Sequence, residues 1–264
     1  MILRYAKPED LEDICRVWQA SFGDSEDFVR TFFEKTDILT TTVVAECDGK
    51  VISLMCAFDG IGTMSYLYAL CTAPEYRGQG IGGEVLRETI RLAFERGAQT
   101  AALHPATPEL TKWYEDCFGF SPAGYFTEPM YTAGETTLSA EPIPFSELYD
   151  RSDITNRVVN AQEVIAKFAG GHLLKIGPAL VYAECYGDKA IIKAIERAPV
   201  SEHIKREVFS AVAAYFSLPE ITVREYNAKK SVNSTANYVN LLAVSSGGVH
   251  TTDFAALGFQ YLLD

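Results

Sequence analysis

The sequence predicts an α+β protein built as two mixed-sheet domains. Three observations carry this: strand-like and helix-like apolar periods alternate along the chain, a strand, a glycine-rich turn and a helix follow one another around residue 80, and the second half repeats the order of elements of the first. An apolar content of 48% with 22% charged residues is that of a folded chain, and 264 residues suffice for two modest cores.

Residues 8–21 and 25–35 carry apolar side chains at helical spacing, the second stretch rich in Phe28, Phe32 and Phe33. Residues 41–46 and 51–58 are β-like runs around Cys47-Asp48-Gly49-Lys50, a hairpin turn signal. A third strand at 65–72 leads to Pro74, a helical pattern covers 84–96, and a strand follows at 100–104. The next helix opens at Thr107-Pro108-Glu109, with threonine suited to the N-cap and proline to the first helical position. Residues 133–145 lack periodic apolar residues and hold Pro142 and Pro144, so they read as a linker between domains at 1–132 and 146–264.

Beyond the linker, Tyr182-Ala183-Glu184-Cys185 resembles Val44-Ala45-Glu46-Cys47, each in a hairpin, and the helix with Glu207-Val208 parallels the one with Glu84-Val85. Residues 220–226 parallel the strand at 100–104, and each half approaches its end with Gly-Phe, at Gly119-Phe120 and Gly258-Phe259. The common order points to an internal duplication.

Composition narrows the function classes. No run approaches eighteen apolar residues and the start lacks the apolar core of a signal peptide, so a cytoplasmic protein without a membrane segment is expected. Six cysteines without a CxxC pair read as reduced thiols, most of them in apolar runs, and Asn233-Ser234-Thr235 is then no glycosylation site. His172, His203 and His250 show no metal-like spacing, and no metal is expected. Of the net charge of −12, −9 falls in residues 1–132 (11 basic against 20 acidic) and −3 in the rest (12 against 15). Such a field repels nucleic acid and anionic membrane and attracts a cationic acceptor, although solubility alone would also account for it.

The chemistry sits in Pro74-Glu75-Tyr76-Arg77-Gly78-Gln79-Gly80-Ile81-Gly82, which joins the third strand to a helix. Glycines let the backbone come close to a ligand, the first-turn N–H groups of the helix point at it, and the macrodipole adds partial positive charge: an anion cradle. Arg77 adds a full charge. The lysine and hydroxyl of a Walker loop are absent, and Pro74-Glu75-Tyr76-Arg77 stands where a dinucleotide fingerprint would need a strand.

This segment resembles the acetyl-CoA-binding signature of the GNAT acyltransferase superfamily, Arg or Gln, two residues, Gly, one residue, Gly or Ala, filled here by Arg77, Gly80 and Gly82. The superfamily's later motif is matched by the strand at 100–104, the helix from Thr107 and Trp113-Tyr114-Glu115-Asp116-Cys117-Phe118-Gly119-Phe120. The resemblance covers residues 1–130 or so and implies an N-acetyltransferase with acetyl-CoA as co-substrate and a small-molecule primary amine as acceptor. It implies that the backbone of Leu70, Cys71 and Thr72 pairs with the pantetheine arm, that the amides of Arg77, Gly78, Gln79, Gly80, Ile81 and Gly82 hold the pyrophosphate, and that Tyr114 sits near the thioester sulfur and serves the leaving thiolate as general acid. Tyr114 could equally be an aromatic on a buried helix face. For the general base, Glu46, Tyr66, Tyr68 and His104 stay open; His104 has the most suitable side chain, although His104-Pro105 also reads as a strand-ending turn.

In the second half the position of the phosphate loop is Ala198-Pro199-Val200-Ser201-Glu202-His203-Ile204, without a glycine and with Glu202 and Glu207 where they would repel a phosphate. A degenerate GNAT-like domain that does not bind CoA is expected, shaping the acceptor cleft or an oligomer contact. The tandem arrangement resembles the enhanced intracellular survival type of aminoglycoside acetyltransferase, whose sterol-carrier-like third domain has no counterpart here. That group implies a C-terminal carboxylate, here Asp264, as a further base. A polyamine or aminoglycoside suits the acidic charge, while protein amino groups, amino-acid derivatives and longer acyl donors stay open. The rival reading is a non-catalytic acyl-CoA sensor.

Overall fold

The computed structural model describes residues 1–148, 156–196, 201–227 and 238–246. The first half runs β1 (Ile2–Tyr5), a 3₁₀ turn, α1 (Leu11–Phe22), α2 (Glu26–Thr36), β2 (Val43–Cys47), β3 (Lys50–Ile61), β4 (Met64–Thr72), a 3₁₀ turn at Pro74–Tyr76, α3 (Ile81–Glu95), β5 (Thr100–Leu103), α4 (Pro108–Phe118), β6 (Ser121–Thr127) and β7 (Met130–Thr132). The second half runs β8 (Glu141–Pro142), α5 (Asn156–Ala169), β9 (Gly171–Ile176), β10 (Ala179–Tyr186), β11 (Lys189–Glu196), α6 (Glu202–Tyr215), β12 (Glu220–Val223), β13 (Glu225–Asn227) and β14 (Tyr238–Ser245).

Local chemistry sets the helix ends. Gly23 (φ 78°) ends α1 in the left-handed region, and the Ser25 hydroxyl caps α2 by accepting from the Phe28 N–H at 3.1 Å. α4 starts as its sequence predicts: Thr107 Oγ1 accepts from the Leu110 N–H at 3.2 Å, and Pro108 fills the first position.

The strands form two sheets, ordered β1-β2-β3-β4-β5-β14-β6-β13 and β7-β12-β11-β10-β9-β8. The apolar run along β3 is explained by burial on both faces. Leu54, Cys56 and Phe58 pack beneath α1 and α2, whereas Met55 and Ala57 pack beneath α3 and α4. Both halves share one order: three antiparallel strands, a helix, and a strand parallel to the third, as β2-β3-β4-α3-β5 and β9-β10-β11-α6-β12.

Three details differ from the sequence-based expectation. The similar hairpins at Val44 and Tyr182 are not equivalent in the sheets, because the first joins β2 to β3 and the second joins β10 to β11, one strand further on in the shared order. Residues 220–226 are not one strand: they divide at Arg224, and β12 and β13 join different sheets. The stretch 133–145 includes β8, which pairs with β9 at a sheet edge, where a proline is tolerated. Each sheet draws on both halves of the chain, since β14 inserts between β5 and β6 while β7 pairs with β12. α5 packs on α2 and buries Val158, Ala161 and Val164 in the first core, with Asn160 Nδ2 donating to the Lys35 carbonyl at 2.9 Å.

Candidate active site

The site grows from a defect in the first sheet. β4 and β5 run parallel and pair only over Met64↔Thr100, Ser65↔Ala101 and Tyr66↔Ala102. Ala69 stands at φ 57°, where an L side chain is uncommon, and the β3–β4 register slips between Leu54 and Cys56, so β4 is bulged and turns away from β5. β5 is held on its other edge by β14, through Leu242↔Leu103. The two strands splay, and a cavity of about 680 Å³ opens at the fork. Its walls include Tyr66, Leu67, Tyr68, Ala69 and Leu70 of β4, Leu103 and His104 at the end of β5, and Leu110 and Tyr114 of α4.

At the far end of β4 the glycine-rich turn crosses into α3. Gly78 (φ 74°) and Gly80 (φ 81°) both take left-handed backbone, and a Cβ on either would meet nothing within 4 Å, so the turn presents bare backbone outward. Gly80 is the N-cap and offers no side chain; the helical ladder opens with Glu84 N–H donating to the Gly80 carbonyl at 3.2 Å. The amides of Ile81, Gly82 and Gly83 therefore precede the ladder. The last two glycines serve closeness instead: a Cβ on Gly82 would stand 3.2 Å from Thr72 Oγ1, and one on Gly83 would stand 3.1 Å from the Phe118 ring.

Of the residues singled out from sequence, Leu70, His104, Tyr114, Tyr66 and Tyr68 meet at the cavity. Tyr114 is 7% exposed, its ring edge-on to Trp113 (5.0 Å) and Phe120 (5.6 Å), and burial pushes its phenol up to about 12. Burial also holds the Tyr66 and Tyr68 phenols well above the usual range, and the backbone of His104 hydrogen-bonds the Tyr66 hydroxyl. The His104 ring lies nearly parallel to Phe126, with centroids 6.3 Å apart.

Others depart from expectation. Glu46 is not among the cavity walls; its carboxylate accepts from Arg4 Nε at 2.8 Å, and Arg4 also bridges to Asp10 at 2.6 Å, so its charge is spent on the β1–β2 edge. Arg77 does not direct its charge over the loop. Its Nε donates to the Thr72 carbonyl at 2.9 Å, and its Nη2 donates to Ser21 Oγ at 3.0 Å and the Ala20 carbonyl at 3.3 Å. Those oxygens sit at the last turn of α1, where the macrodipole favours a cation. The Cys71 carbonyl accepts from Ser53 Oγ at 2.8 Å, so on the part of β4 nearest the glycine turn the carbonyls of both Cys71 and Thr72 have side-chain partners. Burial raises the Cys71 thiol. Gln79 Nε2 donates to the Glu75 carbonyl at 3.2 Å, within the turn itself.

Sequence reasoning missed the opposite wall of the cavity. Trp18, Phe22, Asp24, Ser25 and Phe28 come from the α1–α2 corner, and Ile165, Phe168 and Ala169 come from α5 of the second half. Asp24 accepts from Trp18 Nε1 at 2.7 Å. The break Gly23-Asp24-Ser25 signals a corner, but nothing local says what the corner faces. In the second half, Glu202 pairs with Lys205 in the first turn of α6. Ala198-Pro199-Val200 ahead of that helix lies outside the described residues, as do Asn233-Ser234-Thr235, His250, Gly258-Phe259 and Asp264.

Comparison with known proteins gives a consistent result. Residues 9–120 match the acetyltransferase (GNAT) family. An uncharacterized N-acetyltransferase of Archaeoglobus fulgidus is 28% identical, over 39% of this chain and 80% of that protein. The crystal structure of a GCN5-related N-acetyltransferase from Anabaena variabilis superposes with a TM-score of 0.67 at 16% identity, covering 92% of this chain and 72% of the other. Eis1 from Mycobacterium abscessus gives 0.63 at 10% identity, covering 93% and 74%. At these identities the two solved structures speak to the fold alone, which here extends through both halves of the chain.

Proposed function

We propose, from the premise that residues 9–120 form a domain of the acetyltransferase (GNAT) family, that the protein transfers an acetyl group from acetyl-CoA to a primary amine. The observation that carries this reading is the continuity of three features along β4: a glycine turn opening a helix, a strand edge left unpaired beyond Tyr66 among the described residues, and a cavity with a buried phenol at the fork.

The residues present fit the coenzyme. A diphosphate suits the amides ahead of the α3 ladder and the bare outer face of Gly78 and Gly80. An extended amide-bearing arm suits the splayed edge of β4 near Leu70. When bound, acetyl-CoA supplies an acyl group activated on a thiol. The chain holds and orients it: the α3 amides fix the phosphate end, and the cavity walls exclude water from the other.

Tyr114 acts by hydrogen bonding. With its phenol near 12 and a thiol near 8.5, complete proton transfer to the departing sulfur would be uphill by about 5 kcal/mol, whereas donation of a hydrogen bond to a thiolate is favourable. His104 takes the proton of the attacking amine. Tyr66 and Tyr68 stay neutral because burial disfavours their ionised forms, and Glu46 faces away. As the N–C bond forms and the C–S bond breaks, the ammonium loses two protons, one ending on the thiol and one passing through His104 to solvent. A screen of primary amines monitored by free-thiol release tests this: at least one amine should release thiol at a rate that depends on Tyr114. Release with no amine would leave only acyl-CoA binding.

A further inference from the structure

We propose that the acceptor is a monoamine carrying an aryl or long alkyl body, its ammonium drawn into the cavity by Asp24 before the nitrogen passes to His104, and its body held between the α1–α2 corner and α5. This rests on the acetyl-transfer reading and narrows its substrate.

The acidic net charge of the chain suits polycations, but the cavity does not follow the net charge. Among the described residues Asp24 is the sole carboxylate on its walls, and no described cation pairs with it. Its one hydrogen-bond partner among the described residues is the Trp18 indole N–H at 2.7 Å, which orients the carboxylate without neutralising it. Its charge is felt at Tyr68, on the strand that edges the splay. A single carboxylate balances a single ammonium. A polyamine or aminoglycoside would carry further ammonium groups between apolar walls with nothing to accept them. Lys167, which is not among the lining residues, adds a like charge beside Phe168, its ammonium 5.2 Å from that ring centroid.

The walls are those of an aromatic box. Trp18 stands 5.5 Å from Phe22, 6.3 Å from Phe28 and 6.0 Å from Tyr68, and Phe28 meets Phe168 edge-on at 5.3 Å. Trp18 and Phe28 are buried, at 1% and 7% exposure, and back the wall, while Phe22, Phe168 and the half-buried Tyr68 offer the ring surface that holds an apolar body. Phe22 and Phe168 remain 48% and 39% exposed at the mouth, and a ligand with an apolar body covers that surface. Phe168 lies outside the 9–120 match, so the second half supplies part of the specificity.

The test is calorimetric titration of 2-phenylethylamine and of spermidine into the full chain saturated with CoA, with thiol release from acetyl-CoA measured in parallel. 2-Phenylethylamine should bind at least tenfold more tightly than spermidine. Phe168→Ala should weaken it about fivefold or more without changing spermidine. Asp24→Asn, which keeps an oxygen for Trp18, should weaken 2-phenylethylamine but not neutral 2-phenylethanol. Equal or tighter binding of spermidine, or indifference to Phe168→Ala, overturns the acceptor class and leaves acetyl transfer standing if spermidine releases thiol. Binding of 2-phenylethylamine in the expected order, with no thiol released from any amine, supports the box and sinks the transferase reading.

Discussion

Tyr114→Phe separates chemistry from binding. The ring packs edge-on against Trp113 and Phe120 and phenylalanine keeps that packing, while among the described residues nothing hydrogen-bonds the Tyr114 hydroxyl. The variant should therefore fold with stability within about 1 kcal/mol of wild type. What it loses is one hydrogen bond to a sulfur that gains charge as it leaves. Such a charge-assisted bond contributes about 1.5–3 kcal/mol, or roughly 10- to 150-fold in kcat, by the conversion of 1.36 kcal/mol per decade. The bond strengthens only as charge develops, so acetyl-CoA affinity should stay within about twofold. The assay is steady-state thiol release alongside calorimetric titration of acetyl-CoA. An unchanged kcat would remove Tyr114 from the mechanism; a parallel collapse of kcat and affinity would make it a packing residue.

Glu46→Gln should leave kcat/KM within about twofold and cost about 1 kcal/mol in urea denaturation, because its carboxylate pairs with a part-exposed Arg4 and does not reach the cavity. Arg77→Ala removes the hydrogen bonds that tie the glycine turn to the end of α1, from which Phe22 and Asp24 follow. It should raise KM for both substrates several-fold and lower Tm by about 2–4 °C, readable by kinetics and thermal melts. Tyr114 also gives a signature in alkali. Its phenol is raised to about 12 in the folded chain against about 10 unfolded, so below pH 10 both states keep the proton and stability is unaffected. Between pH 10 and 12 the unfolded state alone releases it, and stability should fall by about 1.4 kcal/mol per pH unit from this group. Urea denaturation at pH 9 and at pH 11 should show wild type losing about 1.4 kcal/mol more between the two than Tyr114→Phe does, and equal losses would contradict the burial argument.

What was legible in the sequence was local. Thr107 and Pro108 announce the start of α4, and the strand, Gly78, Gly80 and helix announce the cradle, because each of those signals acts within a few residues. Charge was legible but not its direction: Arg77 turns to the end of α1, 56 positions earlier, and Glu46 is claimed by Arg4, 42 positions earlier. Pairings across long separations were not legible at all. Insertion of β14 between β5 and β6 depends on two edges the first half leaves open, and residues 220–226 change sheet at Arg224, which bonds Glu128 at 2.9 Å and lies over the Phe126 ring at 4.3 Å. The cavity wall made by the α1–α2 corner and α5 is the extreme case, since Phe168 meets Phe28 only after α5 has packed on α2.

The most direct measurement is calorimetric titration of acetyl-CoA into wild type, Gly80→Val and Gly97→Val. Both glycines are left-handed, at φ 81° and 101°, and a Cβ on either meets nothing within 4 Å, so the two variants carry comparable backbone strain. Only Gly80 lies where the α3 amides would meet a diphosphate. Saturable binding to wild type and to Gly97→Val, weakened at least tenfold in Gly80→Val, is the predicted result. No heat with wild type, or equal affinity in Gly80→Val, would contradict it.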